Sequence, residues 1–427
     1  MAARHVAVVG AGLAGLSAAV ELRRRGHAVE VFERSRLLGG KATSYVAGGT
    51  EVDNGQHVYL GCCTAFVDFV TELGLAAQLH TQERFEVLLL KRDAPPCMLR
   101  AGRLPAPLHL LPALLRYHYL GWAARRQVAW ALAQARVARR QEGTFASWLA
   151  HHHQGEEARR GFWEPFLVPA LNAPLDEVAA DAALFVIATA FAGSRDAARI
   201  GYTTTPLARV AEAAAQRAGT VHLRTGVTGL LEEAGLIRGV RLGDGRALDF
   251  DAVVLAVPPR ALARIVDTPA RFGLPELAAF RSQPIVDVHL WYDRAIPSFD
   301  FAALLGSPVQ WVFQKAPGYL CCSLSAAGAF VTSPEAELVE LCHTELRAVL
   351  PSLAGTRPTR AVATRDPEAT FVQRPGLRRP GAATRYPNLA IAGAWTDTGW
   401  PATMESAVRS GRAAARVIAP EGADHAA

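Results

Sequence analysis

The stretch HVAVVGAGLAGLSAAVELRRRGHAVEVFE, His5 to Glu33, decides the fold. His5 to Val9 is an apolar run of strand length. Gly10, Gly12 and Gly15 follow in the spacing G-x-G-x-x-G, and Leu13 and Ala14 open an apolar-periodic helix that runs to about Arg25 and stops at Gly26. Ala28 to Phe32 reads as a second strand, with Glu33 at its end, 18 residues past Gly15. The three glycines act differently. Gly10 permits the tight turn, Gly12 lets a pyrophosphate approach the backbone, and Gly15 lets helix and strand pack closely. The positive end of the helix dipole favours phosphate, and a carboxylate at Glu33 accepts hydrogen bonds from ribose hydroxyls. A glycine-rich turn in an ordinary α/β domain would not need strand, glycines, helix, strand and acid in this register.

Strand-type sequence returns at Thr220 to Leu230, Ile237 to Leu242 and Leu248 to Val257, with Asp244-Gly245 as a hairpin turn. It returns again at Leu389 to Ala392, before a helix from about Ala402 to Val417. β-α-β sequence at both ends and in the middle has to converge on one sheet. The expected class is therefore α/β, with a discontinuous Rossmann-type domain from 1–75, 205–265 and 386–420. A mixed α+β second domain, 76–204 and 266–385, is interleaved with it. In that second domain Pro105 to Arg140, Thr144 to Asn172 and Asp181 to Phe191 read as helical, Val286 to Tyr292 as strand and Glu335 to Leu350 as helix. The tail after Pro420 reads as frayed.

A chain of 427 residues, half of them hydrophobic, can bury a large core and hold a cleft between lobes. The net charge of +6 comes almost wholly from arginine, only Lys41, Lys91 and Lys315 being lysine, and the arginines are spread along the chain. No basic face interleaved with aromatics follows from that, so no nucleic-acid partner is expected. The six cysteines lack C-x-x-C spacing, and consecutive His151, His152 and His153 do not converge on one ion, so no metal and no disulfide framework is expected. Without a secretory h-region or a long uncharged apolar span, the expected place is the cytoplasm. Peripheral contact with the inner face of the cell membrane stays open, because the segment 104–140 mixes Leu, Trp and Tyr with Arg116, Arg125, Arg126, Arg136, Arg139 and Arg140. Two core helices with solvated arginine faces are the alternative.

Past Glu33-Arg34 come Gly39-Gly40-Lys41 and Thr43-Ser44, a run that resembles the second glycine motif of flavin amine oxidases and carotenoid desaturases. Ile391-Ala392-Gly393-Ala394-Trp395-Thr396 and Pro401-Ala402-Thr403-Met404-Glu405 resemble the last FAD motif of the same superfamily. More selective strings, Asp53-Asn54-Gly55-Gln56-His57, Phe162-Trp163-Glu164-Pro165 leading to Ala170-Leu171-Asn172, and Thr398-Gly399 before Pro401, are similar to the hydroxysqualene dehydroxylase family over nearly the whole chain. The resemblance implies a glutathione-reductase-like FAD domain and FAD as cofactor. It implies phosphate and ribityl contacts at Gly39, Gly40 and Lys41, and an adenine-edge contact near Val227. The same likeness puts flavin contacts at Gly55, Gln56 and His57, at Gly393 and Ala394, and at the helix start Thr403-Met404. At two places the chain departs from the superfamily pattern: Lys41 replaces the usual arginine, losing its bidentate fork, and Ala394 replaces the usual acid.

The resemblance also implies the reaction: reductive removal of an allylic hydroxyl from an apolar isoprenoid, with hydride from reduced FAD and an external electron donor whose identity the residues do not carry. Such chemistry needs an acid, a dry apolar tunnel and an oriented flavin. His57 is one candidate acid, the alternative being a histidine that hydrogen-bonds flavin or backbone and moves no proton. Glu164, flanked by Phe162, Trp163, Pro165 and Phe166, is the other, with burial expected to raise its pKa; an arginine-paired structural carboxylate is its alternative. Asn172 either orients that carboxylate or caps a helix. A phytoene-type desaturase, an amine oxidase and a non-catalytic FAD-binding protein are the rival functions.

Overall fold

The computed structural model describes residues 3–47, 49–106, 108–137 and 141–420. Arg139, Arg140 and the tail beyond Pro420 lie outside the described residues. The chain ends and its middle meet in one five-stranded parallel sheet in the order Thr220–His222, Ala28–Phe32, His5–Val9, Ala252–Leu255, Leu389–Ile391. Val6, Val8, Val253, Val254, Leu389 and Ile391 are all fully buried, as strands covered on both faces require. Helices Leu13–Arg24 and Met404–Ile418 cross closely, the Ser17 hydroxyl donating to the Val408 carbonyl at 3.2 Å.

Two apolar runs that read as single strands in the sequence are each divided between sheets. Thr220–His222 belongs to the parallel sheet, whereas Val227–Glu233 starts an antiparallel meander with Leu236–Leu242 and Ala247–Asp249. Arg224, at φ +54°, makes the corner. Ala252–Leu255 then returns to the parallel sheet. Period-2 patterning reports extended backbone but not which partner it joins.

The second half is built on a seven-stranded mixed sheet in the order Arg360–Phe371, Ser282–Trp291, Tyr319–Leu324, Trp311–Ala316, Phe301–Leu305, Glu86–Lys91, Cys97–Arg100. Val286, Val288 and Leu290 point to one face, where they share a core with Leu338, Cys342 and Leu346 of helix Glu335–Val349. Beyond the Cys97–Arg100 edge lie the helices Leu111–Arg116, Trp122–Val137, Phe145–His151, Glu164–Leu171 and Ala180–Val186, around a separate aromatic core. The helical run read from Pro105 to Arg140 is broken between Arg116 and Trp122, where Gly121 donates its amide to Glu157 at 2.5 Å. A small sheet, Tyr59–Leu60, Ile200–Thr203, Leu79–Thr81, ties the halves together. The core under the parallel sheet also takes in Val266, Phe272, Leu277 and Phe280. All six cysteines are free.

Candidate functional site

The first glycine turn is closed by the Gly10 amide, which donates to the Phe32 carbonyl at 2.8 Å. Gly10 sits at φ +103°, and a Cβ there would stand 2.5 Å from the Ala256 carbonyl oxygen, so only glycine fits. Gly12 precedes the helix without any side-chain cap, leaving the first-turn amides from Leu13 and Ala14 onward to a ligand. The second glycine pair docks on this turn: Gly39 donates to the Ala11 carbonyl at 2.8 Å, and a Cβ on Gly40 would approach Gly12 Cα to 3.1 Å. Gly15 packs directly over the Gly10 carbonyl. The result is a cradle of bare backbone at a helix N-terminus.

Glu33, buried at the end of the second strand, accepts from the Ala11 and Ser35 amides at 2.8 Å each. A carboxylate has further acceptor sites beyond these two. Arg34 is exposed beside it. Thr225 donates to the Glu33 carbonyl at 2.8 Å and Arg224 to that of Ser35 at 3.0 Å, which brings the strand beginning at half-buried Val227 to the same end of the cradle. Lys41, by contrast, is exposed and turned to the second half, toward the Glu368 carbonyl and Asp366 at 3.4 Å.

At the other end of the cradle the Thr403 hydroxyl caps the helix that starts at Met404, accepting from Ser406 at 3.2 Å. Gly393 donates to the Ser410 hydroxyl at 2.9 Å. The half-buried Ala394 gives its carbonyl to Arg379, whose guanidinium also donates to the carbonyls of Trp395 at 3.2 Å, Trp400 at 2.5 Å and Thr396. Burial lowers the Arg379 pKa to about 10. No motif in the sequence marks this clamp. These residues fit FAD: a peptide cradle in which Gly10, Gly15, Gly39 and Gly40 leave no free room for a Cβ, two helix N-termini, and a buried, unpartnered Thr43 hydroxyl behind the second glycine pair.

Between the halves lies the loop Gly55-Gln56-His57, facing the open side of the seven-stranded sheet. The His57 ring nitrogen Nδ1 lies 3.0 Å from the Gly55 carbonyl, and burial holds the imidazole below its ordinary pKa against the opposing pull of Asp53. His57 is therefore neutral at neutral pH. Lys315 donates to Gln56 Oε1 at 3.1 Å and stands 3.7 Å from Asp53. Beneath the loop is Asp287, 1% exposed, with Oδ2 3.4 Å from where a Gly55 Cβ would be and Oδ1 without a partner. Burial raises its pKa to about 6, although the Ser323 hydroxyl, the Gln56 amide and Lys315 all pull the other way. Next along the strand, buried His289 bonds Tyr319 at 2.8 Å through Nδ1, leaves Nε2 unpartnered, and is lowered to about 4 by burial.

Register places Asp287 in a row that crosses the whole sheet: Thr364, Asp287, Ser323, Trp311, Ala303, Leu89 and Cys97 stand opposite one another, strand by strand. Directly opposed residues share a face. The row therefore passes from polar to apolar, and its far end joins the aromatic core of the helical lobe.

That lobe holds a cavity of about 550 Å³ of non-atom space, part of it open to solvent, walled by Phe85, Leu114, Tyr117, Phe162, Phe166 and Phe191 among others. Tyr117 gives its hydroxyl to the Gly161 carbonyl and Trp163 its indole N–H to Gln154 at 2.9 Å, so the wall offers no unpaired polar group from either. Phe166 touches Trp311, ring centres 6.3 Å apart, linking cavity and sheet row.

Glu164 is not buried among these aromatics. Phe162, Trp163, Phe166 and Leu167 pair at helical i, i+4 spacing on the cavity side, which turns Glu164 away. Its carboxylate is about one-third exposed and ion-paired with Arg159 at 2.9 Å. Asn172 does not orient it: at φ 49° it ends the helix, donates to the Gln283 carbonyl and the Thr370 hydroxyl at 3.0 Å, and accepts from Ala326 at 2.7 Å, pinning the helix to the sheet. His151 and His153 are exposed and His152 is half-buried, and among the described residues no cluster of His, Cys, Asp or Glu could hold a metal.

Residues 13–419 match the model of the family described as flavin containing amine oxidoreductase. Hydroxysqualene dehydroxylase of Sinorhizobium fredii is 29% identical, covering 98% of this chain and 99% of its own. Zeta-carotene desaturase of Capsicum annuum is 24% identical over 98% of this chain and 81% of its own. Among solved structures, putrescine oxidase bound to putrescine superposes with a TM-score of 0.73 at 18% identity, covering 98% of this chain and 99% of that one, a likeness of fold.

Proposed function

The chain belongs to the flavin containing amine oxidoreductase family and is an FAD-dependent oxidoreductase, and from that premise we propose that it removes the allylic hydroxyl of hydroxysqualene to give squalene. The observation that carries the reading is the apolar, aromatic-walled cavity at the end of the sheet row, lined only by hydrocarbon and aromatic side chains. Full-length likeness to hydroxysqualene dehydroxylases supports it. An amine substrate would bring an ammonium group to a cavity lining that includes no carboxylate.

Bound FAD, when reduced, supplies hydride. Gly12, Leu13, Ala14, Gly39 and Gly40 would hold its pyrophosphate by backbone amides, with Gly10 and Gly15 shaping the turn. Glu33, beside Arg34 and Val227, would take the adenosine end. Gly55, Gln56 and His57 would lie against the ring, and Gly393, Ala394, Thr403 and Met404 at the ribityl and pyrimidine end, where the helix dipole favours negative charge. Lys41 would serve the phosphates by leaving Asp366. The apolar wall offers water no polar partner beside a developing allylic cation, and the faces of Phe166 and Trp311 attract positive charge.

The decisive experiment is anaerobic. Protein reduced with dithionite is mixed with hydroxysqualene in detergent while flavin absorbance and extracted products are followed. Flavin reoxidation in step with squalene is expected; flavin that stays reduced over intact substrate rejects the reading. The likeness to zeta-carotene desaturase favours a second reading, in which oxidised protein lengthens the chromophore of a carotenoid precursor.

We further propose that the substrate enters from a membrane surface. Leu104, Leu108, Leu111, Leu115, Trp122 and Trp130 are each at least 40% exposed, whereas Leu110, Ala113 and Leu114 of the same segment line the cavity. One short helix thus separates solvent from the apolar space, and Arg125 stacks 4.7 Å from the Trp122 ring on its rim. No helix among the described residues is long and apolar enough to cross a membrane.

A further inference from the structure

Dehydroxylation needs a proton at the departing oxygen, and the two acids suggested by sequence are poorly suited to give one. His57 has Nδ1 turned to the Gly55 carbonyl, and burial works against its protonation, whereas burial favours the protonated form of a carboxyl. Glu164 is turned from the cavity onto Arg159. Asp53 has one oxygen committed to the Ser44 hydroxyl at 2.6 Å and the Leu207 amide at 3.0 Å, and the other toward Lys315.

We propose that Asp287 is the proton source, acting through the Ser323 hydroxyl, on the premise of the dehydroxylase reading. Three features of the geometry carry the assignment. Asp287 is 1% exposed and keeps an unpartnered Oδ1. It lies directly under Gly55, at the loop that the flavin ring would cover. Ser323 is its cross-strand partner on one side and that of Trp311 on the other, so the half-buried hydroxyl stands between carboxyl and hydrocarbon cavity. A substrate with its chain against Trp311 and Phe166 brings its hydroxyl to Ser323.

In the step, Ser323 gives its proton to the substrate hydroxyl and takes the carboxyl proton of Asp287. The C–O bond breaks with its electron pair leaving on water. Bound reduced FAD would supply the hydride, a hydrogen nucleus with two electrons, that the allylic carbon needs, and would itself be left oxidised. Asp287 is left a carboxylate that Lys315 stabilises, to be reprotonated from solvent. Because Asp287 works through Ser323, it is a positioning residue and Ser323 the catalytic one. The groups that act on this carboxyl are the Ser323 hydroxyl, the Gln56 amide, Lys315 and Asp53, and Tyr45 on the adjoining hairpin feels its charge; His57 borders it across Gly55, and His289 follows on its own strand. Tyr319 and Cys321 of the next strand feel its charge, and on the other side Arg360 acts on His289 and Tyr319 and Asp366 on His57. Burial keeps Tyr319 and Cys321 protonated across the range in which Asp287 titrates.

The experiment uses flavin-loaded wild type, Asp287→Asn, Asp287→Glu and Ser323→Ala. Reoxidation of dithionite-reduced protein by hydroxysqualene is followed from about pH 5 to 8, and infrared difference spectra of the same proteins without substrate follow protonated carboxyl. Asp287→Asn and Ser323→Ala are expected to slow reoxidation by ~100-fold or more with flavin content and spectrum unchanged, while Asp287→Glu restores part of the rate. A carboxylic-acid band titrating near pH 6 is expected in wild type and absent from Asp287→Asn. Wild-type turnover with Asp287→Asn within about threefold of it, or no such band in wild type, overturns the assignment alone. Wild type that shows the band but never reoxidises overturns the dehydroxylase reading, and the assignment with it.

Discussion

The glycine cradle and the polar patch on the seven-stranded sheet are specified in different ways. In the cradle, Gly10, Gly12 and Gly15 are neighbours in sequence, and a second contiguous pair, Gly39-Gly40, presses on them through backbone atoms. Its tolerances are steric. In the patch, Asp287, Ser323, Thr364 and Trp311 come from four strands and meet only because the register aligns them. Its properties are electrostatic, set by how much water the assembled neighbours exclude. Substitutions in the cradle should therefore remove structure or cofactor outright, and substitutions in the patch should change pH behaviour and rate in a folded protein.

The largest effect is expected from Gly10→Val. A β-branched residue at φ +103° with Cβ 2.5 Å from a carbonyl oxygen should cost about 4 kcal/mol or more, read as a lost or strongly lowered thermal transition and no bound flavin. A well-folded, yellow variant would break the contrast between the two regions.

Asp287→Asn should do the opposite and stabilise. The folded pKa of Asp287 is raised, so the stability linked to its protonated form is complete below its ordinary 3.8 and is lost as pH rises through about 6. That rise is worth up to about 3 kcal/mol at ~1.4 kcal/mol per pH unit, so the variant should gain on wild type between these values and keep the gain at pH 7. Equal denaturation midpoints for the two proteins at pH 4.5 and pH 7.5 would show that the patch is not electrostatically strained.

Asn172→Ala removes three hydrogen bonds that pin the helix end to the sheet and leaves buried groups unpaired. A loss of about 2 kcal/mol is expected in urea unfolding, with the cavity and not the cradle disturbed, so flavin content should hold. The smallest effect concerns the departure at Ala394. Ala394→Glu, beside the Arg379 clamp, should tighten FAD by about 1 kcal/mol, roughly fivefold in the flavin dissociation constant; weaker binding would mean that the clamp has already taken the role of the missing acid.

The legibility of the molecule follows the same division. The turn around Gly10, the first two strands and helix Met404–Ile418 were readable because each is dictated by residues within one or two turns of each other. Runs such as Thr220 to Leu230 were readable as extended but not as two strands of different sheets, since alternation carries no information about partners. Glu164 looked buried because its sequence neighbours are aromatic; helical geometry buries those neighbours on the opposite side. Arg379 and Asp287 sit in unremarkable sequence, and their importance comes from carbonyls and loops contributed by other segments.

By itself, then, the sequence determined the parallel FAD-type sheet, its discontinuous assembly and the backbone cradle at Gly10 to Gly15, because glycine spacing and apolar periodicity act over distances the chain cannot rearrange. Only the tertiary structure decided where the acid and the hydrocarbon space lie. A carboxyl becomes a proton store, and a set of phenylalanines a cavity, only when strands far apart in sequence pack to exclude water from the one and leave room within the other.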